Sequence, residues 1–169
     1  MPIAQASTQL ITYRLANESD CEDIYEWEND IMTRAMSVNT ALFSYASHIE
    51  WYKKSLSNNK RILYIALNDT HRLAFVRFDH VDQGVYESSI ILNPITRGKG
   101  LSSKILISTI DLLLKQHETV MIIKASIKNA NLLSQRCFQK SGFIFERKDG
   151  EYSLYNLIVN STQKSNLPT

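Results

Sequence analysis

The stretch YESSIIL, Tyr86 to Leu92, reads as a strand that stops at Asn93-Pro94, because proline cannot donate to a ladder and restrains the residue before it. Gly98 and Gly100 follow, and then Leu101, Ile105, Leu106, Ile110, Leu113 and Leu114 recur at helical spacing. A strand, a proline and glycine turn, and an amphipathic helix of about four turns in direct succession place that helix on a sheet. Such a turn is also a common holder of phosphate, since glycine lets the backbone come close and the helix end is positive. Two phosphate patterns fit poorly. A Walker loop needs its lysine and hydroxyl at a fixed distance from the first glycine, and Lys99 follows Gly98 with neither that spacing nor the hydroxyl. A dinucleotide fingerprint needs a third glycine where Ser103 stands and an acid about twenty residues on, where the chain has Thr119-Val120 with Glu118 merely nearby.

The remaining elements follow from pattern. Thr12 to Leu15 reads as a short strand, and NESDCEDIYEWEND as a helix capped by Ser19 with Glu22 completing a capping box. A second helix is expected over Ala46 to Leu56. RILYIAL and RLAFVRFD are adjacent strands joined by the turn NDTH. TVMIIKASI is expected to be a buried strand, NANLLSQRCFQKSGF a helix ended by Gly142, and FIFERKDGEYSLYNLIV a hairpin turning at Asp149-Gly150. The predicted order is β-α-α-β-β-β-α-β-α-β-β, a single α/β or α+β domain over residues 10–160 between polar ends, 1–9 and 161–169, that are expected to fray.

Composition narrows the class of function. A chain of 169 residues with 44% hydrophobic content is about one domain long and able to bury a core. Its net charge of +2 and lack of basic runs argue against nucleic acid or an anionic membrane as partner, leaving a small molecule or another protein. Cys21 and Cys137 lie far apart, without the spacing of a disulfide framework or a zinc cluster, which suits a reducing compartment and no metal. MPIAQASTQL lacks the basic and apolar segments of a signal peptide, and no stretch has the roughly 18 apolar residues of a membrane helix. A cytoplasmic protein is expected.

The segment Arg97-x-x-Gly100-x-Ser102 after a strand resembles the signature of the Gcn5-related N-acetyltransferase (GNAT) family, Arg/Gln-x-x-Gly-x-Gly/Ala, with serine in the last place. Asn131, Ser134, Phe138, Lys140, Gly142 and Phe143 resemble its second motif. The resemblance implies a mixed, mostly antiparallel sheet flanked by helices, and acetyl-CoA as co-substrate. It implies that backbone N–H groups around Arg97, Gly98, Lys99, Gly100, Leu101, Ser102 and Ser103 wrap the coenzyme pyrophosphate. It further implies that Ile90, Ile91 and Leu92 offer backbone groups to the pantetheine arm, that Asn131 points at the pantetheine, and that Ser134, Phe138 and Lys140 line the thiol and adenosine ends. The plain alternative for Phe138 is a core residue.

The implied reaction is direct attack of an amine on the thioester. An alkyl ammonium has a pKa of about 10.4, so a base must first take its proton. Glu87 is the first candidate and Asp79 the second; each also reads as a solvated strand-end carboxylate. Many family members place an acidic tyrosine where Phe138 stands, so Tyr155 or Tyr152 substitutes, or water does, or the thiolate leaves unprotonated.

For the acceptor, Trp27, Asn29, Asp30, Arg34, Ser37, Asn39, His48, Trp51, Arg77 and Asp79 resemble the acetyltransferases of bacterial nonulosonic (pseudaminic-type) acid synthesis and the related domain fused to that pathway's sugar-nucleotide hydrolase. The implied acceptor is an amino group of a nucleotide-linked deoxy amino sugar, with Trp27, Asn29, Arg34 and Arg77 as substrate residues. A protein N-terminal amine, as in ribosomal-protein acetyltransferases, and a non-catalytic acyl-CoA-binding module are the alternatives. The ordinary readings are core for Trp27 and Trp51 and a satisfied structural histidine for His48. The C-terminal hairpin offers an edge through which a homodimer would pair.

Overall fold

The computed structural model describes residues 10–160, so the expectations for 1–9 and 161–169 lie outside the described residues. Seven strands, β1 (Ile11–Leu15), β2 (Arg61–Asn68), β3 (His71–Asp82), β4 (Val85–Leu92), β5 (Ile122–Lys128), β6 (Ile144–Asp149) and β7 (Tyr152–Ile158), form one sheet in the order β1-β2-β3-β4-β5-β7-β6. Every neighbouring pair is antiparallel except β4 and β5, which run parallel because a helix crosses between them. The α+β class and single mixed sheet agree with the sequence reading.

Five helices flank the sheet: α1 (Cys21–Asn29), α2 (Ile31–Met36), α3 (Tyr45–Leu56), α4 (Ser102–Gln116) and α5 (Leu132–Lys140). Helix α2 is an addition to the predicted order. Asp30 caps it by accepting from Thr33 N at 3.0 Å, but its six residues expose Ile31 and Met32, so no buried stripe announces it. The cap expected at Ser19 with Glu22 is corrected: Asn17 and Asp20 form it around a 3-10 turn, Ser19 N donating to Asn17 at 2.9 Å and Asn17 N to Asp20 at 2.9 Å. Asp20 is drawn inward because Arg14 from β1 and Arg72 from β3 both close on it, at 2.7 and 2.5 Å.

Each face of the sheet buries its own core. Ile105, Leu106 and Leu113 of α4 and Phe138 of α5 cover Val76, Phe78, Tyr86 and Ile123 on one face. Ile24 and Trp27 of α1 and Tyr52 of α3 cover Leu63, Ile65 and Phe75 on the other, where the helices reach only part of the sheet. Strand β5 therefore alternates, with Ile123, Ala125 and Ile127 buried and Lys124 and Ser126 exposed, rather than being buried on both sides as TVMIIKASI suggested. Among the described residues no helix is long and apolar enough to cross a membrane.

Candidate functional site

Strands β4 and β5 part company early. Their pairing covers only Val85–Glu87 against Ile122–Lys124, although β4 continues to Leu92 along β3 and β5 continues to Lys128 along β7. Beyond Glu87 the two strands leave a fork, and the edge of β4 from Ser89 to Leu92 turns unpaired backbone groups toward it. Ile90, Ile91 and Leu92 all lie on that edge.

The turn beyond the fork is fixed by its side chains. Asn93 Oδ1 accepts from Ile95 N at 3.2 Å, and the buried Thr96 hydroxyl donates to Leu73 O at 3.1 Å and to Asn93 O at 2.7 Å. Gly98 and Gly100 then take φ of +76° and +69°, a left-handed conformation that costs glycine nothing, and a methyl at either would meet no atom within 4 Å. Leu101 occupies the cap position of α4 without a side-chain bond, and the first turn holds no acid. The first N–H groups of α4 are therefore left without a capping side chain next to the exposed Lys99, an arrangement that suits an anion. Ser102 lies beside Cys137: burial pushes that thiol up and the Ser102 hydroxyl works the other way. The guanidinium of Arg97 is engaged elsewhere, 2.8 Å from Asp30 and 2.8 Å from Thr33 Oγ1, so it ties the turn to α2.

On α5, Asn131 caps the helix by accepting from Ser134 N at 3.1 Å, Ser134 is half-buried and Lys140 exposed. Phe138 is buried and meets Phe143 edge-on at 4.9 Å, in accordance with its plain reading as core.

The open part of the sheet faces α1 and α3. Across it Arg61, Asp79, Glu87 and Lys124 stand in one register row, with Leu63, Arg77 and Ser89 in the next. Asp79 is held by two guanidiniums, Arg61 Nε at 2.5 Å and Arg77 Nε at 3.0 Å, and both arginines lie over Trp51, at 5.6 and 6.0 Å. Glu87 is exposed, on the last row before the fork.

Several expected roles are corrected. Trp27 is 3% exposed within the α1 core and cannot stack on a ligand. Asn29 is spent on Phe43, donating to its carbonyl at 2.8 Å and accepting from its N–H at 3.2 Å. Arg34 donates to the Glu28 carbonyl, to Asn39 O at 2.8 Å and to Ser37 Oγ at 3.0 Å, and lies over Phe43, so Asn29 and Arg34 hold the connection from α2 to α3 in place. Tyr155 projects to the face opposite Glu87, where it is buried and donates to Gln135 Oε1 at 3.0 Å; Tyr152, by register, is on the Glu87 side.

Sequence reasoning missed Glu28. Ile24, Trp27 and Glu28 share one face of α1 at helical spacing, so an acid on an apolar face was the available signal. Its side chain is only 12% exposed and 3.6 Å from His48 Nδ1. Burial pushes its carboxyl above the ordinary value of 4.5, with Arg77, Arg34 and Arg61 opposing.

A family model described as acetyltransferase (GNAT) domain matches residues 11–144. A search of curated proteins gave no match. Among solved structures, spermidine N-acetyltransferase from Vibrio cholerae, in complex with CoA and spermine, superposes with a TM-score of 0.79 at 15% identity, covering 95% of this chain and 100% of that one. The structure of AAC(6')-Ib in complex with ribostamycin and coenzyme A gives 0.78 at 21%, covering 94% and 98%. A domain from Methanocaldococcus jannaschii gives 0.76 at 18%, covering 89% and 99%. At such identities the likeness is one of fold.

Proposed function

This chain belongs to the GNAT acetyltransferase family, and from that membership we propose that it transfers an acetyl group from acetyl-CoA to the amino group of a nucleotide-linked deoxy amino sugar. The carrying observation is the fork between β4 and β5 opening onto the glycine turn and the uncapped end of α4. A long, anion-headed thioester fits that geometry: phosphates at the N–H groups of Gly98 to Ser103, and an amide-bearing arm along Ile90, Ile91 and Leu92. The coenzyme supplies an activated acyl carbon. This chain's part is to hold it, to offer a backbone N–H near Ile91 or Leu92 to its carbonyl oxygen, and to strip a proton from the acceptor.

The balance of charge on the open face supports the acceptor class. Arg61, Arg77, Lys124 and Lys128 accompany Asp79 and Glu87 there, which suits an amine carried beside phosphate better than a polycation. Both superposed enzymes named above were solved with amine-bearing small molecules, spermine and ribostamycin, which supports a small acceptor over a peptide.

Titration with acetyl-CoA, followed by thiol release against nucleotide-linked 4-amino-4-deoxy sugars, polyamines and N-terminal peptides, tests the reading. Micromolar binding with release on the amino sugars is expected. Release on peptides alone moves the acceptor to the protein class, and binding without any release marks a coenzyme-binding module, as the buried Phe138 in place of a tyrosine would allow.

A further inference from the structure

His48 of α3 is ringed by Tyr25, Phe43, Trp51 and Tyr52, and its side chain has no exposure to solvent. Its Nε2 lies 2.9 Å from the Cys21 carbonyl oxygen, which can only accept, so Nε2 carries the ring proton and Nδ1 presents a lone pair. Nδ1 is the one buried side-chain nitrogen or oxygen without a hydrogen-bond partner among the described residues, so the expected satisfied histidine is half-satisfied. Glu28 Oε2 faces it at 3.6 Å, and an ionised carboxylate is also an acceptor. Two acceptors confront each other at 3.6 Å, and the arrangement is short of one proton.

The acid belongs to a helix that borders the strand of the reaction site in the preceding section. Helix α1 touches β4, and Arg77, the guanidinium with the largest effect on Glu28, is the register partner of Ser89, the first residue of β4 beyond the fork. Of the other acids, Asp79 is clasped by Arg61 and Arg77, and Glu87 stands opposite Lys124 in the open.

We propose that Glu28 is the catalytic base of the acetyl transfer and that His48 Nδ1 is a positioning residue that accepts a hydrogen bond from Glu28 once it carries the proton. The proposal rests on the acetyltransferase reading above. The acceptor R–NH3+ gives one proton to a Glu28 oxygen, which frees the nitrogen lone pair. The nitrogen bonds to the thioester carbonyl carbon, and the C–S bond breaks with its electron pair on sulfur. The second nitrogen proton passes through water to that sulfur as the thiol forms, and Glu28 later returns its proton to solvent. Burial pushes Glu28 up, against the guanidiniums of Arg77 on β3, Arg34 on α2 and Arg61 on β2, and burial pushes His48 below 6.5 against the pull of the Cys21 carbonyl. A carboxylate raised by burial beside an imidazole lowered by burial is the pairing in which the acid, once protonated, has a ring nitrogen ready to accept from it.

The experiment is the pH dependence of kcat/KM for the intact chain with acetyl-CoA and a nucleotide-linked 4-amino-4-deoxy sugar, in wild type, Glu28→Gln, Glu87→Gln and His48→Gln, with coenzyme affinity measured for each. Glu28→Gln is expected to lose on the order of 100-fold in kcat and the whole acid limb, with coenzyme affinity kept. His48→Gln retains a donor for the Cys21 carbonyl but removes Nδ1, so the acid limb moves to lower pH while its plateau falls only a few-fold. A wild-type profile in Glu28→Gln, with the limb abolished in Glu87→Gln, overturns the proposal. A protein that binds coenzyme but acetylates no amine defeats the functional reading instead, and the pair is then read by 15N NMR of His48. Nδ1 should shift as Glu28 titrates and the shift should vanish in Glu28→Gln; an unresponsive Nδ1 overturns the pairing.

Discussion

A methyl group at position 100 separates the two duties of the glycine turn. Gly100 at φ +69° has open space around a built Cβ, so alanine there pays backbone strain of about 1–2 kcal/mol without a clash. Gly150 of the β6–β7 turn, at φ +56° and equally open, pays the same strain far from the fork. Melting curves should show similar losses for Gly100→Ala and Gly150→Ala, whereas acetyl-CoA affinity should fall about tenfold or more in the first alone. Equal affinities would remove the turn from the coenzyme site. At this scale the sequence showed the turn well, because glycine and proline announce backbone geometry whatever surrounds them. Side-chain roles were less legible. Trp27, Asn29 and Arg34 stand where the resemblance implied a substrate site, yet each is consumed by packing or by the connection to α3. Glu28 was overlooked because much of its environment is assembled from α3, β2 and β3, none of which is adjacent to it in sequence.

Among the elements, the entry to α1 carries the heaviest electrostatic load. Asp20 has a fully buried side chain, and burial alone would raise its carboxyl. Hydrogen bonds from Arg14, the Asn17 backbone and Arg72 outweigh that and hold it below the ordinary value of 3.8. A carboxyl depressed in the folded state contributes stability that is complete above its unfolded pKa and is lost as pH falls through the folded one. Asp20→Asn should therefore cost about 3 kcal/mol at neutral pH, removing the buried counter-charge that Arg14 and Arg72 share, and the deficit should shrink as pH drops below 3.8. Urea melts at pH 7 and pH 3 measure both; a deficit independent of pH would show that the loss is one of packing. The same cluster explains why the cap was misplaced by two residues. Ser19 and Glu22 satisfy the local rule, but Arg14 and Arg72 arrive from separate strands and select Asp20. Helix α2 escaped because six residues with an outward apolar face have no periodicity to read, while the long stripe of α4 predicted its start within one residue.

For the whole molecule, the succession of strands along the chain was readable from alternation and turns, but the fork was not, since it depends on where a parallel pairing ceases. Two consequences are measurable. Backbone amides of β4 from Ser89 to Leu92 that face the fork should exchange with solvent faster than those bonded to β3, and acetyl-CoA should slow them. Unchanged exchange at saturating coenzyme would place the arm elsewhere. The second concerns cohesion. With the β4–β5 register confined to Val85–Glu87 and Ile122–Lys124 and flanked by bonds at Gly84 and Ser88, the sheet is two plates, β1 to β4 and β5 to β7, fastened at one corner and backed by the shared packing of α4 and α5. A molecule lying along the seam acts as a second fastener. On the proposed coenzyme site, the co-substrate would serve as a mechanical part as well as a reagent, and each discharge would loosen the joint through which its replacement must enter.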